Sequence, residues 1–153
     1  MTVFYTRLIC CVFVLFAVPI SIADIRSYRI PDILSLPCFF IILVIRILAA
    51  PGLLLNYGGA ALFGGALFFC VRLGTRGLGI GDIKFAALIG LFCGLPAVFL
   101  AFAVAALTGI LGALVRRRLA RRRLSAGDSK TLLPFAPFLS LGAVTAYLLD
   151  VFF

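Results

Sequence analysis

Long apolar runs recur along this chain, separated by short connections. The first extends from Val3 to Ala23 with Arg7 as its only charge, the second from about Pro31 to Ala50, and the third from about Leu53 to Leu73. Runs of roughly 20 apolar residues match the length a helix needs to cross a hydrocarbon layer about 30 Å thick. In lipid, such a segment must satisfy its own backbone N–H and C=O groups, which a helix does. A shorter run follows from about Ile83 to Leu95, a fifth reaches about Val115, and a last extends from about Leu132 to Phe153. The predicted fold class is all-α: a polytopic membrane bundle of about six transmembrane helices. It forms one domain over residues 1–153. Composition agrees, since 65% of the residues are hydrophobic, whereas soluble domains are nearer half.

The charges are unevenly placed. Fourteen Lys and Arg stand against five acids, for a net charge of +9. The basic residues gather in alternate connections, at Arg26 and Arg29, at Arg72 and Arg76, and at Arg116 to Arg123. The connections at Ala49–Gly52 and Gly94–Pro96 carry none. Basic connections stay on the cytoplasmic side. That rule puts both termini outside and brings Asp24, Asp32, Asp82 and Asp128 to the cytoplasmic face, with Asp150 opposite. Nucleic acid is not an expected partner, because the basic runs lack interleaved aromatics and any nucleic-acid-binding motif. The dense block Arg116–Arg123 instead suits topology and anionic lipid head groups. Arg46, alone in the second run, is expected to extend its head group to the far interface. Ser21-Ile22-Ala23 imitates a signal-peptidase site, but the run is long for a leader and its positive charges come after it. It reads as a retained helix.

The acids are all Asp, and there is no Glu or His. His-based acid–base chemistry, Ser-His-Asp triads and His-ligated metal sites are thereby excluded. Cys10, Cys11, Cys38, Cys70 and Cys93 form no C-x-x-C pair, so no metal site is expected and they read as small buried hydrophobes.

What chemistry remains centres on Gly77-Leu78-Gly79-Ile80-Gly81-Asp82-Ile83-Lys84. Three alternating glycines precede one carboxylate at the mouth of an apolar run. Glycine lets a backbone turn tightly, adopt φ > 0 and approach another group closely. A helix beginning near Ile83 places Asp82 at its N-terminal end, where the dipole suits a negative charge. Asp24 ends another run at the same face. Two carboxylates brought together share a proton and titrate as a pair, so that one activates water while the other polarises a carbonyl. The plainer reading is that each acid caps a helix end. It is weaker for Asp82, since a cap does not need three glycines, and stays open for Asp24. Pro31 suits the first turn of the second helix, and Asp32 orders that turn. Asp128 reads as solvated and Asp150 as interfacial. Lys84 either tunes the pair, binds a substrate carbonyl or carboxylate, or serves only as a topology charge. A Ser/Lys dyad from Ser27 or Ser140 with Lys84 has no spacing in its favour.

Asp24 with Arg29-Ile30-Pro31-Asp32, then Gly79-Ile80-Gly81-Asp82-Ile83-Lys84, then Leu133-Pro134-Phe135-Ala136-Pro137-Phe138 together resemble the type IV prepilin peptidases. These are intramembrane aspartic proteases of the GxGD type. The resemblance implies a helical bundle with its site at the cytoplasmic side, and Asp24 and Asp82 as the catalytic aspartates. Gly79, Gly81, Lys84, Pro31 and Asp32 would shape the site. The implied reaction is hydrolysis of a prepilin leader just after a glycine, before the substrate's hydrophobic segment. Longer family members carry a cytoplasmic insert with paired cysteines and also methylate the new N-terminus. This chain resembles the short form of tight-adherence (Flp) pilus systems, and no methyl transfer and no cofactor are implied. Asp32 stands where the family usually has Asn, and Ala136 where it has Gly. Two other readings use the same acids: a membrane carrier or assembly subunit that binds a proton or cation, and a presenilin-type protease with a different substrate.

Overall fold

The computed structural model describes residues 2–27, 29–74, 79–122 and 134–152. Among them are six α-helices: α1 (Thr2–Ser27), α2 (Asp32–Ala49), α3 (Leu54–Gly74), α4 (Ile80–Cys93), α5 (Leu95–Arg122) and α6 (Ala136–Phe152). A 3₁₀ turn over Pro51–Leu53 joins α2 to α3. Among the described residues four segments are long and apolar enough to cross a membrane: Phe4–Ser27, Asp32–Ala49, Pro51–Gly74 and Leu95–Val115. The protein is an all-α, multi-pass membrane protein.

The shortest helix sits in the middle. At 14 residues, α4 spans only about 21 Å at 1.5 Å per residue. Phe85, Ala86 and every residue from Leu88 to Cys93 are buried. A helix apolar on all sides finds its place in an interior, and α4 packs against α2, α3, α5 and α6. Phe92 lies between two rings, Phe13 of α1 at 4.0 Å and Tyr147 of α6 at 4.2 Å between centroids. That stack ties three helices together through one residue.

Small residues set the spacing between helices. A Cβ on Gly64 of α3 would stand 2.6 Å from the Ala86 carbonyl oxygen of α4, and one on Gly90 of α4 would strike the Ala60 carbonyl of α3. Gly142 of α6 meets the Ala101 carbonyl of α5 in the same way. Lipid tails are as apolar as leucine, so close packing and not hydrophobic exclusion holds such helices together.

Several sequence expectations are corrected. Helix α1 continues to Ser27, so Asp24 belongs to its last two turns and not to a polar connection. Helix α4 begins at Ile80, ahead of Ile83, and Pro31 is the residue before α2 instead of lying in its first turn. The fifth span ends at Val115 as expected, but helix α5 itself continues through the basic block to Arg122, because Arg, Leu and Ala are good helix formers and nothing there breaks the helix. Arg46 does not reach for the interface. It is only 7% exposed and turns inward. Cys38 and Cys93 are buried as expected, but Cys11 and Cys70 lie on the outer surface. Arg76, Gly77, Arg123, Asp128, Leu132 and Leu133 lie outside the described residues.

Candidate active site

A cavity of about 740 Å³ opens at the end of the bundle where α1 finishes and α2 and α4 begin. Three carboxylates (Asp24, Asp32, Asp82) and three cations (Arg29, Arg72, Lys84) line it, with Ser27, Pro31, Gly79 and Gly81.

Asp24 is 4% exposed. Its Oδ2 accepts the backbone N–H of Ala136 at 2.9 Å. Ala136 is the first residue of α6, and the opening N–H groups of a helix have no partner within it. A carboxylate there satisfies one of them and complements the positive end of the helix dipole. The Phe135 N–H also acts on this carboxylate. This partnership brings the start of α6 to the Asp24 side chain.

Asp82 lies in the first turn of α4, and its Oδ2 accepts the Gly79 N–H at 2.9 Å. The side chain therefore does cap its own helix, as the plainer reading held, and lines the cavity as well. Gly79 is extended, with φ −74° and ψ 155°, a conformation open to any residue. Among the described residues the only glycine at positive φ is Gly94. Gly79 and Gly81 are thus not needed for a left-handed turn. At Gly81 the requirement is space: a Cβ would stand 2.8 Å from the Cβ of Ile30 and 3.1 Å from its carbonyl oxygen. The start of α4 lies directly against the α1–α2 connection, so Asp82 lines the same cavity as Asp24. The Asp24 charge acts on Asp82 across the cavity.

Lys84 and Asp32 form an ion pair, Nζ to Oδ2 at 2.6 Å, with side chains 39% and 53% exposed. The pair joins α2 to α4 along the cavity wall. Lys84 is thus more than a topology charge, and neither residue pointed to the other in sequence, since 52 positions separate them. The rival serine dyad is not assembled. Ser27 donates to the Ala23 carbonyl at 2.7 Å, and Ser140 pairs with Ser21 at 3.2 Å. Among the described residues no group of three His, Cys, Asp or Glu could hold a metal ion.

Residues 11–115 match the family model described as the type IV leader peptidase family, more than half of the chain. The chain belongs to that family. It is also 33% identical over 139 residues to the prepilin leader peptidase/N-methyltransferase of Escherichia coli K12, covering 84% of this chain and 57% of the relative. The protein of the same description from Xanthomonas campestris pv. campestris is 31% identical over 133 residues, covering 82% and 44%. The chain thus spans about half the length of the curated relatives it matches. No solved structure matches it. The part matched to the leader peptidase family contains both aspartates, the Ile30–Gly81 contact and the Lys84–Asp32 pair, and it ends before α6 and Ala136. Of the residues lining the cavity, Arg72 was read from the sequence only as a topology charge; its place at the end of α3, one connection before the glycine motif, is the signal that was available.

Proposed function

We propose that this chain is an intramembrane aspartic endopeptidase that cleaves the leader of type IV prepilins of the Flp-like class, with Asp24 and Asp82 as the catalytic pair. The observation that carries the reading is that these two acids, 58 residues apart in sequence, line one cavity at one end of the bundle. Each has one oxygen held by a backbone N–H at a helix start. Such fixed geometry suits a general acid–base pair, which must meet its substrate without reorganising. One aspartate takes a proton from water while its partner, holding the shared proton, donates to the scissile carbonyl. The roles exchange as the amine leaves.

The charge pattern supports a cavity at the cytoplasmic face of the inner membrane, with both termini in the periplasm. The substrate would bring a basic leader to the carboxylates while its hydrophobic helix stays in lipid. The basic block Arg116–Arg123 would rest on anionic head groups. Leader cleavage alone is assigned to this chain; the N-methyltransferase activity belongs to the names of the two relatives.

The deciding experiment is the mass of a co-expressed Flp-type prepilin. It should lose its leader with the wild-type protein and keep it with Asp24→Asn or Asp82→Asn at equal membrane abundance. Retained cleavage in either variant overturns the assignment. Proton or cation flux into liposomes with an intact prepilin would favour the carrier reading.

A further inference from the structure

At the end of α4 opposite the cavity lies a group that the peptidase chemistry does not use. Arg46 of α2 is buried, and its Nη2 donates to the Phe92 carbonyl at 2.6 Å. Phe92 is the penultimate residue of α4, so its carbonyl is one of those left without a partner by the end of the helix. The guanidinium lies over the Tyr57 ring at 3.6 Å from its centroid, with Tyr147 at 5.9 Å. Among the described residues no carboxylate pairs with it, and its Nε has no hydrogen-bond partner. A cation in the interior of a membrane bundle is expensive, and an apolar side chain would fill the same space without that cost.

What the arginine supplies, and an apolar residue does not, is a fixed positive charge and a donor at the negative end of one helix dipole. The surrounding turn is equally constrained. Gly94 sits at φ 82°, where a Cβ would stand 3.0 Å from the Tyr57 ring and 3.2 Å from Asn56 Nδ2, and the Leu95 N–H donates to Asn56 Oδ1 at 3.3 Å. The far end of α4 is thereby held by α2 and α3, while its near end, carrying Asp82, borders an open cavity. A helix shorter than the membrane has no interface of its own at both ends to set its depth.

We propose that Arg46 is a positioning residue: by capping the C-terminal end of α4 it sets how far that helix slides along its axis, and so where Asp82 stands relative to Asp24. The inference rests on the peptidase reading for its effect on turnover, but not for its effect on geometry. A misplacement of about 1 Å can cost on the order of a hundredfold in rate. Arg46→Met should therefore lower kcat per folded molecule by about ten- to a hundredfold with KM little changed. Arg46→Lys, which keeps a donor and the charge, should restore part of it. In parallel, a membrane-impermeant thiol reagent would be applied to Ile80→Cys with and without Arg46→Met, with labelling at position 80 read by peptide mass. Ile80 is exposed at the cavity end, and a shifted α4 should change its labelling rate severalfold. Unchanged labelling and turnover per folded molecule, or loss of folded protein alone with no recovery in Arg46→Lys, overturns the proposal. A wild-type protein that leaves prepilin intact defeats the peptidase reading instead, and the labelling comparison still decides whether Arg46 fixes α4.

Discussion

Asparagine in place of Asp24 keeps an oxygen that can accept the Ala136 N–H, and in place of Asp82 one that can accept the Gly79 N–H. Under the proposed mechanism both substitutions remove a proton carrier, and both leave the helix starts satisfied. Asp24→Asn and Asp82→Asn should therefore fold, and should lose at least about 10²–10⁴-fold in cleavage rate, the usual worth of a general acid or base. Quantified prepilin processing checks the rate, and detergent-solubilised yield checks the fold. The Lys84–Asp32 pair behaves differently. Its side chains are 39% and 53% exposed, and pairs so open to solvent contribute only about 0.2–1 kcal/mol. A double-mutant cycle with Lys84→Met and Asp32→Asn, read by unfolding in micelles, should give a coupling in that range. A coupling well above it would mean the pair is shielded when the protein sits in lipid.

At the scale of the helices, glycine contacts separate close approach from mere flexibility. A Cβ at Gly90 meets a backbone carbonyl of α3, whereas one at Gly58 meets nothing within 4 Å. Alanine gains up to about 1 kcal/mol over glycine within a helix. Overpacking against a backbone that cannot rotate away costs about 1–3 kcal/mol. Gly58→Ala should thus be neutral or stabilising and Gly90→Ala destabilising, as measured by the same unfolding assay. Gly81→Ala lies between them in space but touches the site: its added methyl would push the α1–α2 connection at Ile30 away from α4. It should lower prepilin cleavage about tenfold or more, by moving Asp82 relative to Asp24, a shift of the kind that costs rate at small distances. Equal losses in Gly81→Ala and Gly90→Ala would instead point to general loosening of the bundle.

For the whole molecule, the alternation of charged and uncharged connections makes an orientation prediction. Ser27→Cys and Ile80→Cys lie at one end of the bundle, beside the cavity. Both should react with an impermeant thiol reagent in inverted membrane vesicles and stay protected in intact spheroplasts. The reverse pattern would put the cavity in the periplasm and remove the proposed route for a cytoplasmic leader. The bundle itself, with its apolar helices and its acids at basic connections, was legible in the sequence, as were the Gly-x-Gly-Asp and Pro-Phe-Ala-Pro stretches. The partners of those acids were not. Nothing in the order of residues couples Asp24 to the Ala136 N–H, Gly81 to Ile30, or Lys84 to Asp32.

The sequence by itself determined that this chain crosses a membrane as helices, roughly where each helix lies, and that Asp24, Asp32 and Asp82 gather at one end of the bundle. Those properties follow from local hydropathy and from charges that must stay out of the hydrocarbon. Only the tertiary structure decided that the shortest helix is the central one, that Arg46 points inward to its end, and that a missing Cβ at Gly81 lets two distant carboxylates line one cavity. The physical reason is that lipid and protein interior are equally apolar. Hydropathy can mark a helix for the membrane without saying which of its faces meets another helix, so that choice rests on shape and on a few polar contacts that exist only once the helices have packed.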